Sequence, residues 1–222
     1  NRLVTDQLSE ILFTPSADGD TNLLREGIAR EKIHLVGNVM IDTLVRLLPL
    51  ATQAKRNGLP GQYALVTLHR PANVDDPQML RKILISMLAL NKDLPVIFPL
   101  HPRTRQAIRQ FGLETDGIRM TDPISYLEFL ALQCRATVVI TDSGGIQEET
   151  TYLGIPCLTA RANTERPVTV EIGTNILIGD DMEKLRTETL NVLNGRGKKG
   201  SVPPLWDGHA SERIASILTN WL

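Results

Sequence analysis

The chain reads as a doubly wound α/β protein on a parallel sheet, and two patterns predict it. Continuous apolar runs of about five residues recur along it, too uniformly apolar for strands with one wet face. Between them lie stretches with apolar positions at helical spacing, the alternation that covers a parallel sheet on both sides.

In chain order, "ILFTPSA" and "KIHLVGN" read as short strands with the helical "TNLLREGIA" between them, one βαβ unit. The long helical stretch "VMIDTLVRLLPLATQAKRNG" leads to strand "YALVTLH", where a fresh series starts. Helix "PQMLRKILISMLALNK", strand "PVIFPLH", helix "RTRQAIRQFG" and strand "GIRMTD" follow. Then come helix "SYLEFLALQC", strand "TVVIT", helix "IQEETTYLG" and strands "PCLTA" and "NILIG". A polar-faced helix, "MEKLRTETLNVL", precedes "NGRGKKGSVPP", which reads as an exposed loop with solvated charges. The closing "ASERIASILTNWL" has apolar positions at helical spacing and ends on Trp221, so it is expected to pack on something.

The totals narrow the function. At 222 residues and 42% apolar, the chain suffices for one large domain, or one domain and part of another. Lys and Arg number 24 against 25 Asp and Glu, which argues against nucleic acid or an anionic membrane as partner. No apolar run approaches the ~20 residues of a bilayer span, and no export signal begins the chain. Cys134 and Cys157 lack CxxC or Cys/His spacing and read as buried thiols of a reducing cytosol. The first residue is Asn1 and not Met, which reads as a truncated or processed product.

Ligands of a doubly wound sheet bind beyond the carboxyl ends of its strands. The polar residues there are His69-Arg70, His101, Asp122, Asp142-Ser143-Gly144-Gly145 and Arg161 to Arg166, a set that suits an anion. Ser143-Gly144-Gly145 is either a tight strand-to-helix bend or a phosphate seat: residues without Cβ let an anion reach main-chain N–H groups, and the helix dipole favours its charge. Glu149, further along that helix, can accept from the two hydroxyls of a ribose, and Glu148 reads as its solvent-facing neighbour. His69 is either satisfied by a backbone carbonyl or acts as donor to a diphosphate and acid to a departing phosphate. His101, with Arg103 and Arg105, is a weaker version of the same signal. No strand is followed by G-x-G-x-x-G, and no G-x-x-x-x-G-K-[ST] occurs, so neither an ordinary NAD site nor a P-loop is expected.

The motifs "LVGNVMID", "VTLHRPANVDD", "PLHP", "DSGGIQEE" and "LGIPCLTARANTERP", in that order, resemble the non-hydrolysing UDP-N-acetylglucosamine 2-epimerases over the whole chain. The resemblance implies a glycosyltransferase-B type fold of two Rossmann-like domains, with most of the amino-terminal one missing. Residues 1–48 would be the tail of that domain and a linker helix, 49–206 the UDP-binding domain and 207–222 a closing helix. It further implies that Ser143, Gly144 and Gly145 hold the diphosphate and Glu149 the ribose. Arg70 would bind substrate, Arg166 would add charge to the phosphates or support the cleft, the Phe129 backbone would meet uracil unless Phe129 is a core residue, and His69 would sit against the departing UDP. The implied reaction interconverts UDP-GlcNAc and UDP-ManNAc by eliminating and re-adding UDP, without NAD or metal, in a cytoplasmic enzyme that is a homodimer at full length.

Two departures stand out. The family's usual H-R-x-E-N is His69-Arg70-Pro71-Ala72-Asn73 here, without its carboxylate. The family's proton-moving carboxylates lie ahead of an Asn-Arg pair where this chain begins, so the fragment is expected to bind UDP without turnover, with Arg2 an isolated edge of the absent site. A glycosyltransferase of the same fold and a non-catalytic nucleotide-sugar-binding module are the competing expectations.

Overall fold

The structure, a computed structural model, describes residues 1–53 and 58–221. The last part of the expected long helix, residues 54–57, and the final residue lie outside the described residues. The chain divides into two compact units, Asn1–Leu47 with Val202–Leu222, and Leu48–Ser201.

In the first unit, α1 (Arg2–Leu8) precedes β1 (Leu12–Thr14), α2 (Ala17–Arg25) and β2 (Ile33–Leu35), with β1 and β2 paired in parallel. α1 was not expected from the sequence, and α2 starts earlier than its apolar period suggests. It ends where Gly27 takes a left-handed φ of 85°. Leu12, Leu23, Ile28 and Ile33 form the small core of this βαβ unit. The Arg2 guanidinium pairs with both Asp6 and Glu26.

Helix α3 (Val39–Gln53) follows Gly37, whose φ of 90° and close approach to the Leu205 carbonyl leave no room for a Cβ. Trp206 is buried and donates from Nε1 to the Pro15 carbonyl at 2.8 Å. The closing helix, Ala210–Trp221, is capped by Asp42, which accepts from the Ala210 and Ser211 amides at 3.0 and 2.7 Å. Trp221 itself is exposed, so the expectation that the end of this helix packs is not met within the described chain.

The second unit carries the sheet. β3 (Ala64–Thr67), α4 (Pro71–Val74), α5 (Pro77–Leu90), β4 (Val96–Pro99), α6 (Pro102–Phe111) and β5 (Arg119–Thr121) make its first half. The second half comprises α7 (Tyr126–Gln133), β6 (Val138–Thr141), α8 (Gly144–Leu153), β7 (Cys157–Thr159), α9 (Pro167–Glu171), β8 (Asn175–Leu177) and α10 (Met182–Leu193). All six strands are parallel, in the order β5-β4-β3-β6-β7-β8. The chain walks outward from β3 to β5, then returns to lay β6 against the other side of β3. That reversal is the switch point at which doubly wound sheets open a crevice.

The continuous apolar strands are explained by burial on both faces. Ala64, Val66, Phe98, Val138 and Ile140 point into the larger core with Leu80, Ile83, Leu84 and Met87 of α5. The alternate residues Leu65, Ile97 and Val139 point into a smaller core with Tyr63 and Ile155, against which Phe129 and Ile146 pack.

Helix starts follow ordinary capping chemistry: Asp76 accepts from the Gln78 amide at 2.8 Å, and Ser125 with Glu128 forms a reciprocal capping box on α7. The glycine-lysine loop is not merely solvated, because Lys198 donates to the Asn175 carbonyl at 2.9 Å and to that of Val170. Both cysteines are free thiols, Cys157 buried and Cys134 only half-buried. Among the described residues, no helix is long and apolar enough to cross a membrane.

Candidate functional site

At the switch point, the residues after β3 and after β6 are tied together by one side chain, Asp142. It has no exposure, and its carboxylate accepts from the amides of His69 (3.0 Å) and Arg70 (2.8 Å), from Asn73 Nδ2 (3.0 Å) and from His69 Nδ1 (3.1 Å). Burial pushes its pKa up, yet the hydrogen bonds from His69, Asn73 and Arg70 outweigh it and hold the carboxyl below its ordinary value. Asn73 also donates to the Ala160 carbonyl at 3.0 Å, so the turn after β3 is fixed to the end of β7 as well.

Ser143 is the N-cap of α8 but makes no side-chain capping bond, so among the described residues its hydroxyl is uncommitted. A Cβ built on Gly144 would meet nothing within 4 Å: the space over this helix N-terminus is open. Gly144 and Gly145 stand at the first positions of the helix, where N–H groups have no intrahelical acceptor. The dipole of the ten-residue helix adds its positive end there.

Arg70 caps α4 and lines a cleft of about 660 Å³ with Ala72, Asn73, Arg161, Asn163 and Asp180. Among the described residues it makes no ion pair, whereas Arg161 grips Glu165 through two bonds of 2.6 and 2.7 Å. That grip, with the nearby Arg70 charge a lesser contributor, pulls Glu165 down to about 2. Ala72, where the carboxylate of H-R-x-E-N was expected, is exposed on α4 and leaves the Arg70 side of the cleft without that acid.

Glu148 corrects the sequence reading. It is buried and not solvent-facing, and it pairs with Arg166 at 2.6 Å. A network missed in the sequence seats the loop carrying Arg166. Gln147 Oε1 accepts from Thr164 at 2.6 Å and from Asn175 Nδ2 at 3.0 Å, while Asn175 bonds Thr159 and Thr169.

Glu149 is also buried, with Tyr126 of α7 donating to its Oε1 at 3.1 Å. Burial raises its pKa to about 7, against the hydrogen bond from Tyr126 and with Glu148 adding repulsion. Phe129 packs its ring on the smaller core and spends its amide on the Ser125 carbonyl at 2.9 Å, so a contact to a base would use its carbonyl. The His101 ring lies 5.4 Å from that of His69, tilted by 38°, and His101 caps α6, its Nδ1 accepting from the Arg103 amide at 3.2 Å.

The structure thus ties His69 and Arg70, after β3, to Asp142, the residue before Ser143, Gly144 and Gly145, with Glu149 further along α8 and Arg166 in the loop before α9. Among the described residues, no group of three or more His, Cys, Asp or Glu side chains converges on a metal position.

A family model described as UDP-N-acetylglucosamine 2-epimerase matches residues 1–219. The chain belongs to the UDP-N-acetylglucosamine 2-epimerase family. It is 40% identical over 99% of its length to the UDP-N-acetylglucosamine 2-epimerase of Methanocaldococcus jannaschii, covering 63% of that protein. It is 38% identical over 98% of its length to the UDP-2,3-diacetamido-2,3-dideoxy-D-glucuronate 2-epimerase of Pseudomonas aeruginosa, covering 62% of it.

The crystal structure of the M. jannaschii epimerase in complex with UDP-GlcNAc and UDP superposes with a TM-score of 0.89 at 40% identity, over 99% of this chain and 64% of that one. The Neisseria meningitidis epimerase bound to UDP-GlcNAc gives 0.83 at 29%, with the same shares. A wall teichoic acid polymerase, at 0.54 and 14% identity over 97% of this chain and 59% of its own, shares the fold alone. The fold is the α/β, glycosyltransferase-B type of this epimerase family, and the chain spans under two thirds of the length of the relatives it matches.

Proposed function

We propose that this chain supplies the UDP site of an epimerase that interconverts UDP-GlcNAc and UDP-ManNAc by eliminating and re-adding UDP. The observation that carries the reading is the open mouth of α8, with the uncommitted Ser143 hydroxyl at its cap and the preceding Asp142 tying that turn to the amide of Arg70. Ser143 and the Gly144 and Gly145 amides hold the diphosphate, Arg70 neutralises it, and Arg166, anchored by Glu148, lends charge from the far side. Glu149 accepts the ribose hydroxyls, the Phe129 carbonyl meets uracil, and His69 faces the departing UDP.

The carboxylates at this edge are committed: Asp142 to its amides and His69, Glu148 to Arg166, Glu149 to Tyr126. On this reading the proton-moving carboxylates lie outside the 222 residues, which alone bind UDP without turning it over. The same reading makes the full-length protein a cytoplasmic homodimer, which sedimentation would check.

Full-length protein given UDP-GlcNAc in deuterium oxide, with no acceptor, should form UDP-ManNAc carrying deuterium at C2; absence of epimer sinks the reading. For the 222-residue chain, Ser143→Ala should weaken UDP by about 10- to 100-fold in calorimetry. Glu149→Ala should weaken UDP more than pyrophosphate, and equal losses would remove the ribose assignment. A second substrate, UDP-2,3-diacetamido-2,3-dideoxy-D-glucuronate, is favoured by the 38% identical relative. Parallel assays with both nucleotide sugars rank them.

A further inference from the structure

We propose that Asp142 is the positioning residue of His69, locking its imidazole so that only Nε2 is offered to the diphosphate; this rests on the reading that His69 faces UDP. The carboxylate cannot rotate away. Both of its oxygens accept from the His69 amide, the Arg70 amide and Asn73 bond Oδ2, and Asn73 is itself held by the Ala160 carbonyl.

Its Oδ1 lies 3.1 Å from His69 Nδ1. An ionised carboxylate only accepts, so Nδ1 must carry a proton in every state of the ring. The neutral ring then has a lone pair at Nε2, and a second proton can enter or leave only there. When it does, the cation formed has a fully buried counter-charge on its other side, the arrangement that keeps a histidine oriented while it donates to an anion.

The side chain of His69 is 36% exposed while that of Asp142 is 0% exposed, so the ring reaches from a dry anchor to an open edge. His101 provides a built-in contrast. Its Nδ1 accepts from the Arg103 amide, so its neutral form must carry the proton on Nε2. Two histidines whose rings lie 5.4 Å apart and tilted by 38° are therefore assigned opposite tautomers.

Long-range ¹⁵N–¹H NMR of the 222-residue chain at a pH where the rings are neutral reads both tautomers, with His69→Gln and His101→Gln for assignment. The expected spectrum has His69 as Nδ1–H and His101 as Nε2–H. Asp142→Asn keeps an oxygen for the two amides but turns an NH₂ toward Nδ1, so His69 should flip to Nε2–H with His101 unmoved. Asp142 serving only to brace the turn would leave the tautomer indifferent to this change.

An Nε2–H His69 in the unsubstituted chain, or an unchanged His69 in a folded Asp142→Asn variant, overturns the proposal. Should that variant fail to fold, the unsubstituted spectrum decides alone. In a separate arm, saturating UDP should shift His69 Nε2. An expected tautomer with no response to UDP would overturn the placement of the nucleotide and leave the Asp142–His69 pairing standing.

Discussion

Asp142 at the end of β6 and Glu149 on the second turn of α8 lie on one short segment, and both side chains are almost without exposure. Their surroundings push them in opposite directions. Asp142 is met by main-chain amides, an amide side chain and an imidazole, and stays ionised below its ordinary range. Glu149 is met by a phenol and the neighbouring Glu148, and rises to about 7. Burial alone decides neither; the number and kind of donors does. Asp142 is built as a strut, whereas Glu149 is held with one hydrogen bond from Tyr126 and capacity to spare for a ligand's hydroxyls.

The sharpest way to break this contrast is Asp142→Ala. It strands the His69 and Arg70 amides and the Asn73 amide together, and should cost about 3 to 5 kcal/mol in urea unfolding. A loss under ~1 kcal/mol would show that the strut is dispensable.

Glu149→Gln should act oppositely. The folded Glu149 keeps a proton that the unfolded chain releases near the ordinary value of 4.5, so its contribution is fully present below that pH and lost as pH rises through about 7. The variant should therefore be more stable than the parent by about 1 to 3 kcal/mol at pH 8, with the gain gone below about pH 5. A gain that is independent of pH would remove the titration from the account.

The smallest effect belongs to Tyr126→Phe, which removes one donor from Glu149 and should cost about 1 kcal/mol, while moving the pH dependence of stability upward. An unshifted profile would mean that Tyr126 does not restrain the carboxyl.

Much of this was legible in the residues. The apolar strands and their sheet-edge polar residues announced the α/β architecture and put His69, Arg70 and Ser143 at one edge. The partners of buried charges were not legible, because they come from far along the chain. Glu148 on an amphipathic helix looks solvent-facing until Arg166 arrives from the loop before α9, and Gln147 depends on Asn175 of β8 in the same way. Helices α4 and α9 were missed for another reason: at four and five residues, each is barely longer than one turn and shows no repeat of an apolar period. Both begin with Arg-Pro, Arg70-Pro71 and Arg166-Pro167, and proline at the first helical position was the available signal.

The Trp206 indole bond to the Pro15 carbonyl joins groups 191 residues apart, both in the first unit. Everything from Leu48 to Ser201 is thus an insertion between the two halves of that unit. On the ribosome the inserted sheet can fold while the first unit still lacks its sealing indole.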